Sequence, residues 1–157
     1  GTGTHETTSM CAEALESFLK HGESVYDIGC GSGILSIVAA KLGADKVVGI
    51  DIDPVCIDVS KENIRLNNVE NKVKVYQGDL FYVVSDKVDL IVSNIIAETI
   101  AGMVKNLGNY LKDDGIFIAS GIILSKVELV ENTLKENGYK ILNTKRLGEW
   151  ACVVAQK

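Results

Sequence analysis

The run Asp27-Ile28-Gly29-Cys30-Gly31-Ser32-Gly33 lies between two segments of different rhythm. Before it, Val25-Tyr26-Asp27-Ile28 reads as a short strand. After it, Gly33 to Leu42 reads as a small-residue helix stopped by Gly43. Three alternate glycines at a strand-to-helix turn let the backbone pass close beneath a ligand, where a Cβ would block the approach. In open α/β sheets that turn sits beyond the carboxyl ends of the strands, where ligands bind. A plain glycine turn is the simpler alternative, and the spacing argues against the commonest ligand of such turns. A dinucleotide fingerprint needs its third glycine at position 34, which is Ile34.

Working outward, the same alternation continues. Met10 to His21 predicts a helix closed by Gly22, and Lys46 to Asp51 a buried strand. Asp53-Pro54 predicts an N-cap followed by proline at the first helical position of a helix reaching about Asn67. Val73 to Tyr76 and Val88 to Ser93 predict strands, Glu98 to Leu111 a helix, Gly115 to Ser120 a strand, and Leu124 to Asn137 a helix. Lys140 to Arg146 and Trp150 to Gln156, joined through Gly148, predict a closing antiparallel hairpin. The expectation is one doubly wound α/β domain over residues 1–157: a mostly parallel seven-stranded sheet with helices on both faces.

Composition narrows the function classes. With 157 residues, 46% hydrophobic and 24% charged, the chain is long enough for a full core. A net charge of -5 disfavours gripping nucleic-acid phosphates. No uncharged apolar stretch approaches the roughly 20 residues of a membrane helix, and no secretory leader opens the chain. Cys11, Cys30, Cys56 and Cys152 are scattered, offering neither a zinc site nor a disulfide framework, and read as small apolar fillers in a reducing cytoplasm. No metal, nucleic acid or membrane partner is expected; oligomeric state is not legible.

Two acids sharpen the glycine loop. Asp51 ends the second strand eighteen positions beyond Gly33, where a carboxylate can accept both hydrogen bonds of a ribose diol. Asp53 competes for that role, but its place before Pro54 suits a helix cap better. Asp27 ahead of the loop repels a pyrophosphate and attracts an amino group, so the loop suits a nucleoside carrying positive charge.

Asp27-x-Gly29-x-Gly31-x-Gly33 with Asp51 on the second strand resembles the class I S-adenosylmethionine-dependent methyltransferases, over essentially the whole chain. Gln77-Gly78-Asp79-Leu80-Phe81 agrees, since that family places an acid near the adenine amino group and an apolar side chain against the ring; as residues alone, Gly78-Asp79 reads equally as a turn. At the end of the fourth strand stands Ser93-Asn94-Ile95-Ile96-Ala97. An Asn oxygen with backbone carbonyls there can accept hydrogen bonds from an amine and aim its lone pair, the positioning that an in-line methyl transfer needs. Capping of the next helix is the alternative role for Asn94. Methyltransferases of adenine or amide nitrogens resemble one another in an Asn-Pro-Pro-Tyr tetrad at this place, and Asn94-Ile95-Ile96-Ala97 departs from it.

Gly1-Thr2-Gly3-Thr4-His5-Glu6-Thr7-Thr8-Ser9, with Asn94-Ile95-Ile96-Ala97 and Gly148-Glu149-Trp150, is similar to the bacterial methyltransferases of large-subunit ribosomal protein eleven. The resemblance implies trimethylation of lysine side chains and an N-terminal α-amino group. It implies a cofactor-binding set of Thr8, Asp27, Gly29, Gly31, Gly33, Asp51, Ile52, Asp79, Leu80 and Asn94. Asn94 would be the catalytic residue, and Thr4 and His5 would line the substrate side. On spacing alone, His5 reads as an exposed loop residue, Thr7 or Thr8 as a cap of the first helix, and the run from Gly1 to Thr8 as a lid. That family also carries a separate N-terminal recognition domain, of which residues 1–157 hold nothing. Other readings stay open: a methyltransferase of RNA, a small molecule or another protein, or a binding module without catalysis. With no evident general base, proton loss to water is expected.

Overall fold

The computed structural model describes residues 4–157. Helix α1 (Thr4–Phe18) is followed by β1 (Ser24–Ile28), α2 (Ile34–Lys41), β2 (Lys46–Asp51), α3 (Pro54–Leu66), β3 (Val73–Gln77) and β4 (Val88–Asn94). Then come α4 (Ala97–Leu107), β5 (Leu111–Ile123), a 3₁₀ turn (Leu124–Lys126), α5 (Val127–Glu136), β6 (Lys140–Leu147) and β7 (Trp150–Gln156). The strands form one seven-stranded sheet in the order β3-β2-β1-β4-β5-β7-β6. Strands β1 to β5 pair in parallel. β7 runs antiparallel between β5 and β6, so the closing hairpin docks on the sheet through its second strand.

Alternation along the strands assigns the two faces. Val25, Val47, Leu90 and Val92 pack with Leu15 of α1, Leu35 of α2 and Ile57 of α3. Tyr26, Val48, Ile50 and Ile91 pack with Ile100 and Met103 of α4 and Val130 of α5. A period of two in strands between layers of helices is what β-branched runs alternating with helical segments require. Among the described residues, no helix is long and apolar enough to cross a membrane. Cys11, Cys30 and Cys152 are buried fillers. Burial, reinforced by Asp27, pushes the Cys30 thiol up to about 12, so it stays protonated.

Several boundaries differ from the sequence expectation: α1 ends at Phe18 rather than His21, and β5 runs Leu111–Ile123 rather than over 115–120. α1 begins at Thr4 rather than near Met10, because Thr7, Met10, Cys11, Ala14 and Leu15 form one continuous buried stripe whose first member is polar. Thr7 and Thr8 therefore lie inside α1 and do not cap it. α4 stops at Leu107, where Gly108 begins a turn in which Asn109 N–H bonds to Asn106 O and Tyr110 N–H to Leu107 O. Leu111 already belongs to β5. The helix expected from Leu124 opens as a 3₁₀ turn before α5.

Candidate functional site

The glycine loop crosses the carboxyl end of β1 with Gly29, Gly31 and Gly33 all left-handed, at φ 75, 55 and 85. The N–H groups of Gly29 and Cys30 both reach Ile50 O, at 2.8 and 3.0 Å, stitching the loop to β2. Asp51 at the end of β2 completes the stitch. Its Oδ2 accepts from Gly31 N–H at 2.9 Å and its Oδ1 from Asp53 N–H at 3.0 Å. A carboxylate has about four lone-pair positions, so two acceptor sites remain for a diol. Asp53 is the N-cap of α3, its Oδ1 taking Val55 N–H at 2.9 Å. The capping role of Asp53 matches the expectation.

α3 supports the loop from beneath. The Ser60 hydroxyl lies 2.6 Å from Gly31 O and 2.7 Å from Cys56 O, and Asn63 Nδ2 donates to Ser32 O at 2.9 Å. Ser60 also fixes the third glycine, since a Cβ on Gly33 would lie 3.2 Å from Ser60 Cβ. A Cβ on Gly31 would meet nothing within 4 Å. That glycine therefore leaves open space above the loop. Ser60 and Asn63 escape sequence reading because nothing distinguishes them from other polar residues on α3.

Asp27 is placed differently from the expectation. It is 1% exposed on the face of β1 covered by α2, and accepts a 2.7 Å hydrogen bond from the Ser36 hydroxyl. Gly49, its partner on β2, leaves room for that hydroxyl, because a Cβ there would lie 3.0 Å from Ser36 Oγ. Burial pushes the Asp27 carboxyl up to about 6 against the opposing Ser36 hydrogen bonds. Asp27 thus underpins the loop from within, and does not present its carboxylate to an amino group at the surface; the strand's alternation decides this.

Two further elements reach the same edge. Gly78 N–H bonds to Asp51 O at 2.9 Å, bringing exposed Asp79 and half-buried Leu80 (φ 50) beside exposed Ile52. Asn94 closes β4, its Nδ2 donating to Thr7 Oγ1 at 3.3 Å, while Ser120 Oγ donates to Thr7 O at 3.2 Å. The buried residue of α1 at Asn94 is therefore Thr7, which the carried-over set omits. Thr8 is half-buried beside it and His5 is exposed. His5 lies in α1 and not in a loop, and residues 4–8 of the expected lid are the first turns of that helix; Gly1 to Gly3 and the Thr4 side chain lie outside the described residues. Asn94 does not cap α4; Ile96 occupies that position.

Strand order 3-2-1-4-5-7-6, a glycine loop after β1, an acid ending β2 and a polar residue ending β4 define the class I methyltransferase fold. Within that class, the family model described as ribosomal protein L11 methyltransferase (PrmA) matches residues 1–157, and the chain belongs to this family. The ribosomal protein L11 methyltransferase of Alkaliphilus oremlandii (strain OhILAs) is 51% identical over 156 residues, which are 99% of this chain and 50% of that protein. Its counterpart in Alkaliphilus metalliredigens (strain QYMF) is 52% identical over 156 residues, 99% of this chain and 49% of that protein. The crystal structure of ribosomal protein L11 methylase from Lactobacillus delbrueckii subsp. bulgaricus superposes with a TM-score of 0.93 at 35% identity, over 98% of this chain and 79% of that one. The chain spans about half the length of the curated relatives it matches.

Proposed function

We propose that residues 1–157 are the catalytic domain of an S-adenosylmethionine-dependent N-methyltransferase that modifies protein amines, lysine side chains or an N-terminal α-amino group, of large-subunit ribosomal protein eleven. The observation that carries the reading is the meeting of Gly31, Asp51 and Asn94 on one sheet edge, with Asp51 held to the Gly31 N–H at 2.9 Å. In this reading the protein works in the cytoplasm, with no membrane or nucleic-acid partner.

The residues fit the cofactor. Gly31 would leave room for its stem, the spare lone pairs of Asp51 would accept the ribose hydroxyls, and Ile52, Asp79 and Leu80 would hold the adenine. When bound, S-adenosylmethionine supplies a methyl group made electrophilic by its sulfonium. Asn94 Oδ1 accepts an N–H of the incoming amine, turning the nitrogen lone pair toward the methyl group; alignment of this kind supplies much of the rate. The amine reacts neutral. An α-amino group near pKa 8 reaches that state far more readily than a lysine near 10.4, and the proton leaves to water.

The test is intact-mass analysis of purified ribosomal protein eleven after incubation with this chain and S-adenosylmethionine, alongside calorimetry of cofactor binding. Mass gain in methyl increments is expected, with Asn94→Ala slowing transfer about 100-fold, more than it weakens cofactor binding. Cofactor binding with no mass gain, even when the family's N-terminal recognition domain is supplied, overturns the substrate. Absence of binding overturns the whole reading.

A further inference from the structure

Asn94 and Ile95 leave β4 across the end of β5, and two left-handed glycines from distant parts of the chain lie against them. Gly121 (φ +80) stands in the β5 bulge between Ala119 and Ile122. A Cβ there would come within 2.7 Å of the Ile95 carbonyl oxygen and 2.9 Å of Asn94 Oδ1. Gly29 (φ +75) lies in the glycine loop, and a Cβ there would come within 2.5 Å of Ile95 Cγ2. Ile95 is therefore seated at both ends, its side chain on the glycine loop and its carbonyl on the bulge.

We propose that Gly121 is a positioning residue for methyl transfer, acting through Asn94 and Ile95. Its missing side chain sets where the Asn94 and Ile95 oxygens stand, and Ile95, held between Gly121 and Gly29, fixes their distance from the glycine loop. The inference rests on the reading of the site as a methyltransferase. It adds a residue that touches neither cofactor nor acceptor and governs their alignment.

Carbon–oxygen contacts of 2.7 and 2.9 Å do not persist, so alanine at position 121 changes the spacing between the β5 bulge and the segment 94–95 and turns the Asn94 side chain. A misplacement near 1 Å at a transfer site costs about 100-fold in rate. Asp51 and the glycine loop make no direct contact with position 121, and Ile95 and Asn94 alone connect it to the cofactor's side, so cofactor affinity falls less than transfer. Alanine at a left-handed glycine also carries a backbone cost of its own. Gly138 separates the two effects: it has φ +87, and a Cβ there meets nothing within 4 Å.

The experiment compares Gly121→Ala with Gly138→Ala in the full chain. It measures thermal midpoint, cofactor Kd by calorimetry, kcat and KM for methylation of ribosomal protein eleven, and the side-chain amide resonances of Asn94 in ¹H–¹⁵N spectra. Both variants are expected to bind cofactor within about threefold of the parent. Only Gly121→Ala is expected to lose kcat, by about 10- to 100-fold at unchanged cofactor KM, and only there should the Asn94 resonances move. Equal kcat losses in the two variants, or unmoved Asn94 resonances in Gly121→Ala, overturn the proposal. If Gly121→Ala does not fold, Ile95→Leu removes the Cγ2 branch seated on Gly29. A kcat loss of tenfold or more at unchanged cofactor Kd then supports the proposal, and an unchanged kcat overturns it. A parent that binds cofactor but methylates nothing, even with the family's N-terminal recognition domain supplied, defeats the substrate assignment alone, and the Asn94 resonances still decide the positioning. A parent that binds no cofactor defeats both.

Discussion

The carboxyl edge of the sheet has two halves built in different ways. In the β1–β2 half, the glycine loop is held by groups close in the chain: Asp51, Ser60 and Asn63 reach it across 20, 29 and 31 residues. In the β4–β5 half, Asn94 is held by Thr7 across 87 residues, and Thr7 by Ser120 across 113. The first half is a strand-helix-strand unit that closes on itself. The second exists only when α1, β4 and the β5 bulge are all docked. In the proposed reaction the first half supplies most of the cofactor's contacts and the second, with Asn94 serving both, aims the acceptor, so affinity and transfer should respond to different degrees.

Asp51→Ala makes the largest break. It removes the acceptor of the Gly31 and Asp53 N–H groups together with the lone pairs offered to a ribose diol. Hydrogen bonds to a charged group contribute about 1.5–3 kcal/mol each, and about 1.4 kcal/mol is tenfold in affinity. Calorimetry should therefore show S-adenosylmethionine affinity reduced at least 100-fold. A loss below tenfold would place the ribose elsewhere and dissolve the division between the halves.

Asp27→Asn sharpens the first half from within. The folded carboxyl titrates at about 6 because it is buried, whereas an exposed aspartate titrates near 3.9. Between those values the folded chain holds a proton that the unfolded chain has lost, so stability falls as pH rises through the window and levels off above it. The span corresponds to on the order of 2–3 kcal/mol. An asparagine side chain in place of the acid keeps an acceptor for Ser36 and has no charge to bury. The variant should match the parent near pH 4 and melt higher at pH 7.5. Parallel midpoint-against-pH curves for the two proteins would mean that Asp27 is not the group responsible.

The same division explains what the sequence discloses. Gly29, Gly31, Gly33, Asp51 and the Asp53-Pro54 cap stand at short, fixed spacings around one turn, so their placement follows from counting positions. Thr7, Ser120 and Gly121 have no such spacing to Asn94, and Thr7 is a polar residue hidden in a buried helical stripe. Leu107 and Leu111 are both fully buried and four apart, which imitates a helix across a turn that Gly108 opens. Asp27 shows the converse limit: its identity suggests a charge offered to a ligand, while the alternation of β1 turns it inward against Ser36.

The smallest effects make the finest test of separability. Ser60 and Ser120 are both fully buried serines whose hydroxyls donate to backbone carbonyls of the site, Ser60 beneath Gly31 and Ser120 at Thr7. Replacing either by alanine leaves a carbonyl short of a donor at similar cost, about 1 kcal/mol, so the thermal midpoints should fall together. The carbonyls belong to different halves. Loosening Gly31 O frees the loop beneath the cofactor, and Ser60→Ala should weaken S-adenosylmethionine binding about threefold to tenfold. Loosening Thr7 O frees the helix that steadies Asn94, so Ser120→Ala should leave binding within twofold and lower kcat by a similar threefold to tenfold. Matched stability with crossed functional losses is the signature of two separately built halves; if both variants lose affinity alike, the edge behaves as one cooperative unit.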